Sequence, residues 1–80
     1  MSYRWRDDGR LLVVPLDLTQ AVHQLWEVQA ATGEAYPLTD RASTPFKIAN
    51  GDWSVSPDGQ RIAFVSASDG NIWLLELPSP

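Results

Sequence analysis

The chain has 80 residues, of which 44% are hydrophobic and 20% are charged, and its formal net charge at pH 7 is −4. These proportions are typical of one small globular domain and argue against disorder. The negative charge argues against nucleic acid or a membrane as a partner, because nucleic acid and anionic lipid both require a basic surface. The sequence contains no cysteine, which excludes disulfide bonds and thiolate metal sites.

The N-terminus begins with Met1 and carries no hydrophobic secretory segment. This slightly favours the cytoplasm, with the periplasm as the alternative if a signal peptide has been removed. No apolar run approaches the roughly 18 residues that a membrane-spanning helix requires.

The first half of the chain predicts short strands separated by turns. An Asp-Asp-Gly turn at 7–9 precedes the apolar residues 11–14, and Pro15 then indicates a strand end or a bulge. A connector over 17–23 leads to a second apolar run at 24–28. These runs are too short and too rich in β-branched and aromatic residues to favour helices.

A third turn and a polar connector complete this first half. The Thr-Gly-Glu turn at 32–34 leads into residues 35–39. Pro37 suits an edge strand, where one backbone position can remain unpaired. The polar residues 40–47 then connect to the second half of the chain.

The second half repeats this order of features. A strand over 48–56 is followed by a Pro-Asp-Gly turn at 57–59 and by the apolar run 61–65. The small polar residues 66–70 end in the hairpin dipeptide Asp-Gly and lead to the apolar run 71–77. Because both runs are apolar on both faces, we expect each sheet to be covered by protein on both sides.

The two halves form an internal repeat of about fifty residues. Gly9 and Gly59 are 50 positions apart, whereas Trp26 and Trp73 are 47 apart. The difference is confined to the connector at 17–23, which is longer than its counterpart. The further equivalences are Tyr3 with Trp53, Trp5 with Val55, and residues 11–14 with 61–64.

These features together resemble the WD40-like repeat of TolB-type β-propellers. The second copy carries the resemblance in WSVSPDGQRIAFVS and DGNIWLLEL, and the first carries it in LWEVQAATGEAYPLTD, residues 25–40. In that family each repeat is a four-stranded blade, and the blades surround a central channel. The chain departs from the family pattern at Val55, which lies between Ser54 and the turn, and at Asp7, where proline is usual.

The resemblance implies an all-β fold of two antiparallel propeller blades. The first blade and its connector occupy 1–44, and the second occupies 45–80 without an outer strand of its own, because nothing after Leu77 can supply one. Two blades cannot close a ring. We therefore expect copies of the chain to assemble head to tail, with a trimer favoured and a tetramer next. The alternative is that the chain is part of a longer propeller.

The functional expectation is a non-enzymatic scaffold that binds protein or peptide and needs no cofactor. In the resembling family, the connectors at 17–23, 40–47 and 66–70 gather at one end of the ring. The candidate residues of these loops are Asp17, Gln20, His23, Arg41, Lys47, Ser68 and Asp69. The alternatives are a propeller portion of a larger protein such as a prolyl-oligopeptidase-like enzyme, an engineered fragment without activity, and a small-ligand or ion site on the symmetry axis.

Candidate catalytic and metal residues each have a simpler structural explanation. His23 is the only histidine, and zinc sites usually require three or four ligands, so we interpret it as a loop residue. Nearly all of the aspartates lie at predicted turns, where we expect them to bond to neighbouring backbone, and they lack the spacing of a calcium loop. We expect Trp26 and Trp73 to pack in the core, and Trp5 to line an interface between copies.

Overall fold

The computed structural model describes residues 2–15 and 21–78, with Asn50 described by its backbone alone. This part of the chain contains seven β-strands and no helix, which confirms the predicted all-β class. None of the described residues therefore forms a helix of the length and hydrophobicity that crossing a membrane requires. The strands are β1 (Ser2–Asp7), β2 (Arg10–Val14), β3 (Trp26–Gln29), β4 (Ala35–Pro37), β5 (Ile48–Val55), β6 (Arg61–Ser66) and β7 (Ile72–Glu76).

The strands form two antiparallel sheets in which sequence neighbours pair. The first sheet has the order β1-β2-β3-β4, and the second has the order β5-β6-β7. Among the described residues, no strand pairs with the free edge of β7. The number and order of strands follow from the turns, because each turn reverses the chain and places the next strand beside the last.

The turn between β5 and β6 shows how local chemistry ends a strand. A carboxylate oxygen of Asp58 accepts hydrogen bonds from the Ser56 hydroxyl at 2.6 Å and from the Gln60 N–H at 3.0 Å. Gly59 follows with φ of 71°, a conformation that L side chains avoid. A Cβ at Gly59 would lie 3.0 Å from the carbonyl oxygen of Arg6, so this turn also approaches the first sheet closely.

The two sheets stack face to face, and the core lies between them. In β2 the inward residues Leu12 and Val14 are buried, while Leu11 and Val13 point away and are half-buried. In β6 the inward residues include Ile62. The full set of buried hydrophobic residues is Leu12, Val14, Leu25, Phe46, Ile48, Trp53, Ile62, Phe64 and Leu77. We call the two faces that meet the inner faces and the other two the outer faces.

Strand pairing corrects the predicted equivalence of the second strands. Val13 pairs with Tyr3 on one side and Trp26 on the other, and Phe64 lies in the same way between the aromatic residues of β5 and β7. Val13 is therefore the counterpart of Phe64, whereas the sequence alignment gave that place to Val14. Equivalent residues of β2 and β6 are therefore one position further apart in the sequence than predicted.

The cause of this shift is the turn before β2. In the first sheet Trp5 pairs with Leu11 and five residues, 6–10, lie between them, whereas in the second sheet Val55 pairs with Ile62 and six residues, 56–61, lie between them. The first turn is thus one residue shorter, and its strand has an irregular register between Trp5 and Asp7. Because side chains alternate along a strand, an offset of one residue exchanges the two faces.

The tryptophans occupy different environments from those predicted. Trp53, and not Trp26 or Trp73, is the tryptophan of the core. Trp26 points to the outer face of the first sheet and is half-buried, and Trp73 lies in the edge strand and remains exposed. The prediction of core packing for Trp26 and Trp73 is wrong within this chain, because Trp26 lies on an uncovered outer face and Trp73 lies on the inner face at the edge strand β7, where it stays 41% exposed.

Candidate binding site at one end of the sheets

Three connectors meet at one end of the stacked sheets. The backbone N–H of His23 donates to the carbonyl of Phe46 at 2.7 Å, which joins the β2–β3 connector to the β4–β5 connector. The N–H of Ala67, in the β6–β7 turn, donates to the carbonyl of Lys47 at 2.8 Å. The β4–β5 connector therefore lies between the other two and holds them together.

A pocket of about 200 Å³ opens among these connectors. Most of its wall is apolar, but the Lys47 side chain and the Ser68 hydroxyl add one cation and one polar group. Every connector contributes to the wall, so the pocket exists only because the two sheets are stacked. The lining residues are Ala21, Val22, Pro45, Phe46, Lys47, Ser66, Ser68 and Trp73.

Asp69 positions the aromatic wall of the pocket. The indole N–H of Trp73 lies 3.2 and 3.1 Å from the two carboxylate oxygens of Asp69. The backbone N–H of Asn71, at 2.9 Å, and secondarily the indole N–H stabilise the ionised carboxylate and lower the pKa of Asp69. An exposed tryptophan is thus held in one orientation at the rim of the pocket.

His23 is buried beneath these connectors and is not displayed on them. His23 is only 3% exposed, and its Nδ1 accepts a hydrogen bond from the Ile48 N–H at 3.0 Å. The neutral ring therefore carries its proton on Nε2, which has no hydrogen-bond partner among the described residues. Burial and, secondarily, the positive charge of Lys47 lower the pKa of His23.

The other candidate residues are distributed unevenly. Asp17 and Gln20 lie outside the described residues. Lys47 and Ser68 line the pocket and Asp69 adjoins it, while Arg41 is exposed on the β4–β5 connector. Trp5 lies away from this end, exposed on the outer face of the first sheet.

Metal-ligand geometry is not found in the described part of the chain. Over residues 2–15 and 21–78, no three side chains of the metal-binding types converge on a common point. Four aspartates, Asp7, Asp40, Asp58 and Asp69, accept hydrogen bonds from backbone within their own turns, as Asp40 does from the Ala42 N–H at 2.7 Å.

Phe46 is one of several pocket residues that the sequence analysis missed. It is a single aromatic residue in a polar connector, and it packs against Phe64 with ring centroids 5.4 Å apart. An isolated large apolar residue between polar neighbours is a signal of burial, but its partners belong to strands far away in the sequence.

A buried ion pair between the sheets was also not predicted. Arg6 Nη1 lies 2.8 Å from Glu27 Oε1, its Nε donates to the Gly59 carbonyl at 2.8 Å, and its Nη2 donates to the Pro78 carbonyl at 2.7 Å. The hydroxyl of Tyr36 donates to the other carboxylate oxygen of Glu27. This cluster joins the two sheets.

The fold and the pocket define a small all-β chain with two stacked antiparallel sheets and a mostly apolar pocket among its connectors. No protein-family model, curated protein or solved structure matches the chain.

Proposed function

We propose that this chain is a non-enzymatic scaffold that binds a protein or peptide at the end where the three connectors meet. The observation that carries the proposal is the pocket itself, because it unites residues of all three connectors that the resemblance to TolB-type propellers places at one end. Apolar concave sites with a few polar groups are typical of ligand binding.

The composition of the pocket indicates the chemistry of its ligand. Phe46, Val22 and Trp73 suit an apolar side chain, whereas the ammonium group of Lys47 suits a neighbouring carboxylate. We therefore infer that the ligand is a peptide with an apolar side chain next to an acidic group. A binding role is favoured over catalysis because the only histidine is buried, with its acceptor nitrogen already engaged.

We further propose that the two sheets are consecutive blades of a TolB-type propeller. Face-to-face stacking, the strand order and the apolar outer faces all support this interpretation. Copies of the chain would complete the ring, with three copies giving six blades and four copies giving eight.

A second candidate is a propeller portion of a larger protein, such as a prolyl-oligopeptidase-like enzyme. The same exposed apolar faces support it, because further sheets of a longer chain would cover them equally well. The mass of the purified 80-residue chain in solution separates the candidates, since only the first predicts self-assembly.

Peptide selection tests the binding function. A phage-displayed library of random linear peptides is selected against the wild-type chain, and the selected peptides are measured by calorimetry. Ala21→Trp fills the pocket and should weaken these peptides about tenfold or more, the equivalent of about 1.4 kcal/mol. Ala31→Trp is the matched control, because Ala31 is an exposed alanine at the opposite end of the sheets.

Two results would contradict the binding function. Either no peptide is enriched over an empty support, or Ala21→Trp and Ala31→Trp weaken the selected peptides equally. Equal weakening would show that the peptides bind elsewhere on the chain.

A further inference from the structure

The outer face of each sheet is the repeat counterpart of the inner face of the other sheet. Strand pairing makes Tyr3 the counterpart of Trp53, and Val13 the counterpart of Phe64. The first member of each pair lies on the outer face of the first sheet, whereas the second lies on the inner face of the second sheet. The inner face of the second sheet covers the inner face of the first sheet. The outer face of the first sheet is of the same kind as that covering face.

The outer face of the second sheet shows the converse relationship. Ala63 and Val65 are the counterparts of the core residues Leu12 and Val14. Ile72, one strand further, is the counterpart of Leu25. The interface inside the chain joins an aliphatic face to an aromatic one, and the chain exposes one further face of each kind. We call these the aromatic outer face, on the first sheet, and the aliphatic outer face, on the second sheet.

Both outer faces are exposed to an extent unusual for large apolar side chains. Tyr3 and Trp5 are 58% and 55% exposed on the aromatic outer face, and Ile72 and Leu74 are 73% and 66% exposed on the aliphatic outer face. Contiguous apolar surface of this kind marks an interaction site.

We propose that the aromatic outer face of one copy packs on the aliphatic outer face of a second copy, in the relative arrangement that the two sheets have within the chain. This inference rests on the proposed blade architecture and specifies its interface. Two different faces meet, so the contact is heterologous and continues from copy to copy until the assembly closes.

The interface inside the chain predicts one specific contact between copies. There the indole N–H of Trp53 donates to the Ser2 hydroxyl at 2.8 Å. The counterparts of these residues are Tyr3 and Asp52, so the Tyr3 hydroxyl of one copy would donate to the Asp52 carboxylate of the next. A hydrogen bond to an ionised acceptor is among the stronger ones in proteins.

A cavity in the aliphatic outer face suits the Tyr3 ring. It has a volume of about 310 Å³, and Asp52, Ser54, Ala63, Val65 and Ile72 belong to its wall, together with Arg4 of the first sheet. A wall that combines apolar residues with polar groups such as the Asp52 carboxylate matches a phenol, which has an apolar ring and one hydroxyl. We therefore place Tyr3 of the second copy in this cavity.

The test uses two variants that each block one face. Trp5→Glu places a charge on the aromatic outer face, and Leu74→Glu places one on the aliphatic outer face. Both positions are exposed within the chain, so each variant should fold as the wild type does. Ala31→Glu makes the same change of charge at an exposed turn outside both faces and serves as the control.

Sedimentation equilibrium over a concentration series should distinguish the variants. We expect the wild type and Ala31→Glu to assemble and each blocked variant to be monomeric. An equimolar mixture of the two blocked variants should form a one-to-one dimer, because one free aromatic face meets one free aliphatic face. Circular dichroism confirms folding, and Tyr3→Glu and Ile72→Glu replace any blocked variant that fails to fold.

The mixed dimer also allows a test of the Tyr3–Asp52 contact. Tyr3→Phe in the Leu74→Glu chain and Asp52→Ala in the Trp5→Glu chain should each raise the dissociation constant about tenfold, the equivalent of about 1.4 kcal/mol. Both changes together should raise it little further, since either one already removes the hydrogen bond. Independent, multiplying effects would overturn this contact.

Three results would overturn the inference as a whole: a monomeric wild type over the entire series, self-association of Leu74→Glu alone, or a mixture that remains monomeric. Self-association of Leu74→Glu would show that two aromatic faces pair with each other. Peptide binding is measured on the same monomeric variants. A wild type that stays monomeric but binds peptide rejects the assembly and leaves the binding function standing, whereas a wild type that assembles but binds no peptide rejects only the proposed binding function.

Discussion

The guanidinium group of Arg6 and the carboxylate of Glu27 form an ion pair at 2.8 Å with side chains that are each only 2% exposed. Arg6 also donates to the carbonyls of Gly59 and Pro78, which belong to the second half of the chain. One side chain thus connects the first sheet to the turn before β6 and to the segment after β7. Its contribution lies in holding the sheets in one relative position, because a buried charge tolerates few alternative arrangements.

Removing one partner of this pair should destabilise the chain strongly. Arg6→Met leaves the Glu27 carboxylate buried without its main partner, and breaking such pairs costs about 3–5 kcal/mol. The double variant Arg6→Met, Glu27→Leu should lose clearly less than the sum of the two single losses. Urea unfolding of the four proteins gives the coupling free energy, and a coupling near zero would contradict the assigned role.

An exposed ion pair is the matched control for this experiment. Arg61 Nε lies 3.2 Å from Glu76 Oε1, but the two side chains are 50% and 76% exposed. Exposed pairs contribute only about 0–1 kcal/mol. Arg61→Met should therefore change the free energy of unfolding far less than Arg6→Met.

Gly59 should tolerate alanine less well than Gly70 does. Gly59 and Gly70 have φ values of 71° and 73°, so alanine should cost about 1–2 kcal/mol at either position. A Cβ at Gly59 also meets the Arg6 carbonyl oxygen at 3.0 Å, whereas a Cβ at Gly70 meets open space. Gly59→Ala should thus be the more destabilising change in urea unfolding, and equal losses would show that the sheets separate readily at this turn.

Acid should weaken the chain through His23. Burial holds the pKa of His23 in the folded chain below its ordinary value of 6.5, so the unfolded chain binds the proton more readily. The contribution of His23 to stability is complete above pH 6.5 and is lost as the pH falls toward and through the folded-state pKa. Protonation would also remove the acceptor that Nδ1 offers to the Ile48 N–H.

His23→Asn separates the charge from the hydrogen bond. The asparagine oxygen can replace Nδ1 as the acceptor, but the side chain does not titrate. Urea unfolding is measured at about pH 7.5 and about pH 5.5, on either side of the ordinary histidine pKa. The wild type should have a lower free energy of unfolding at the lower pH. The variant should show a much smaller loss, and parallel losses in both proteins would assign the pH dependence to other groups.

Leucines on the inner and outer faces should respond differently to truncation. Leu12 is fully buried, so Leu12→Ala should cost about 2–5 kcal/mol. Leu74 is exposed, and Leu74→Ala should change stability by no more than about 0.5 kcal/mol in a monomeric background such as Trp5→Glu. Thermal unfolding at low protein concentration measures both, and similar losses would mean that the core does not lie between the inner faces.

The pocket shows how far the sequence could predict a site. The connectors were identified from their polar composition, and the resemblance to TolB-type propellers placed them at one end. Neither source identified Phe46 as part of the wall or placed His23 beneath it. Both outcomes depend on the hydrogen bonds that join the connectors, and these bonds link residues twenty or more positions apart.

The sequence by itself determined the strands, the turns and the internal repeat, because Asp, Pro and Gly act on the backbone within a few residues of themselves. Only the tertiary structure decided which faces meet, since a turn shorter by one residue exchanges the two faces of the following strand. It also decided that Arg6 and Glu27 are buried, whereas Arg61 and Glu76 are exposed. Burial of a charge depends on carbonyls and partners supplied from distant parts of the chain, and the residues nearby in the sequence carry no sign of them.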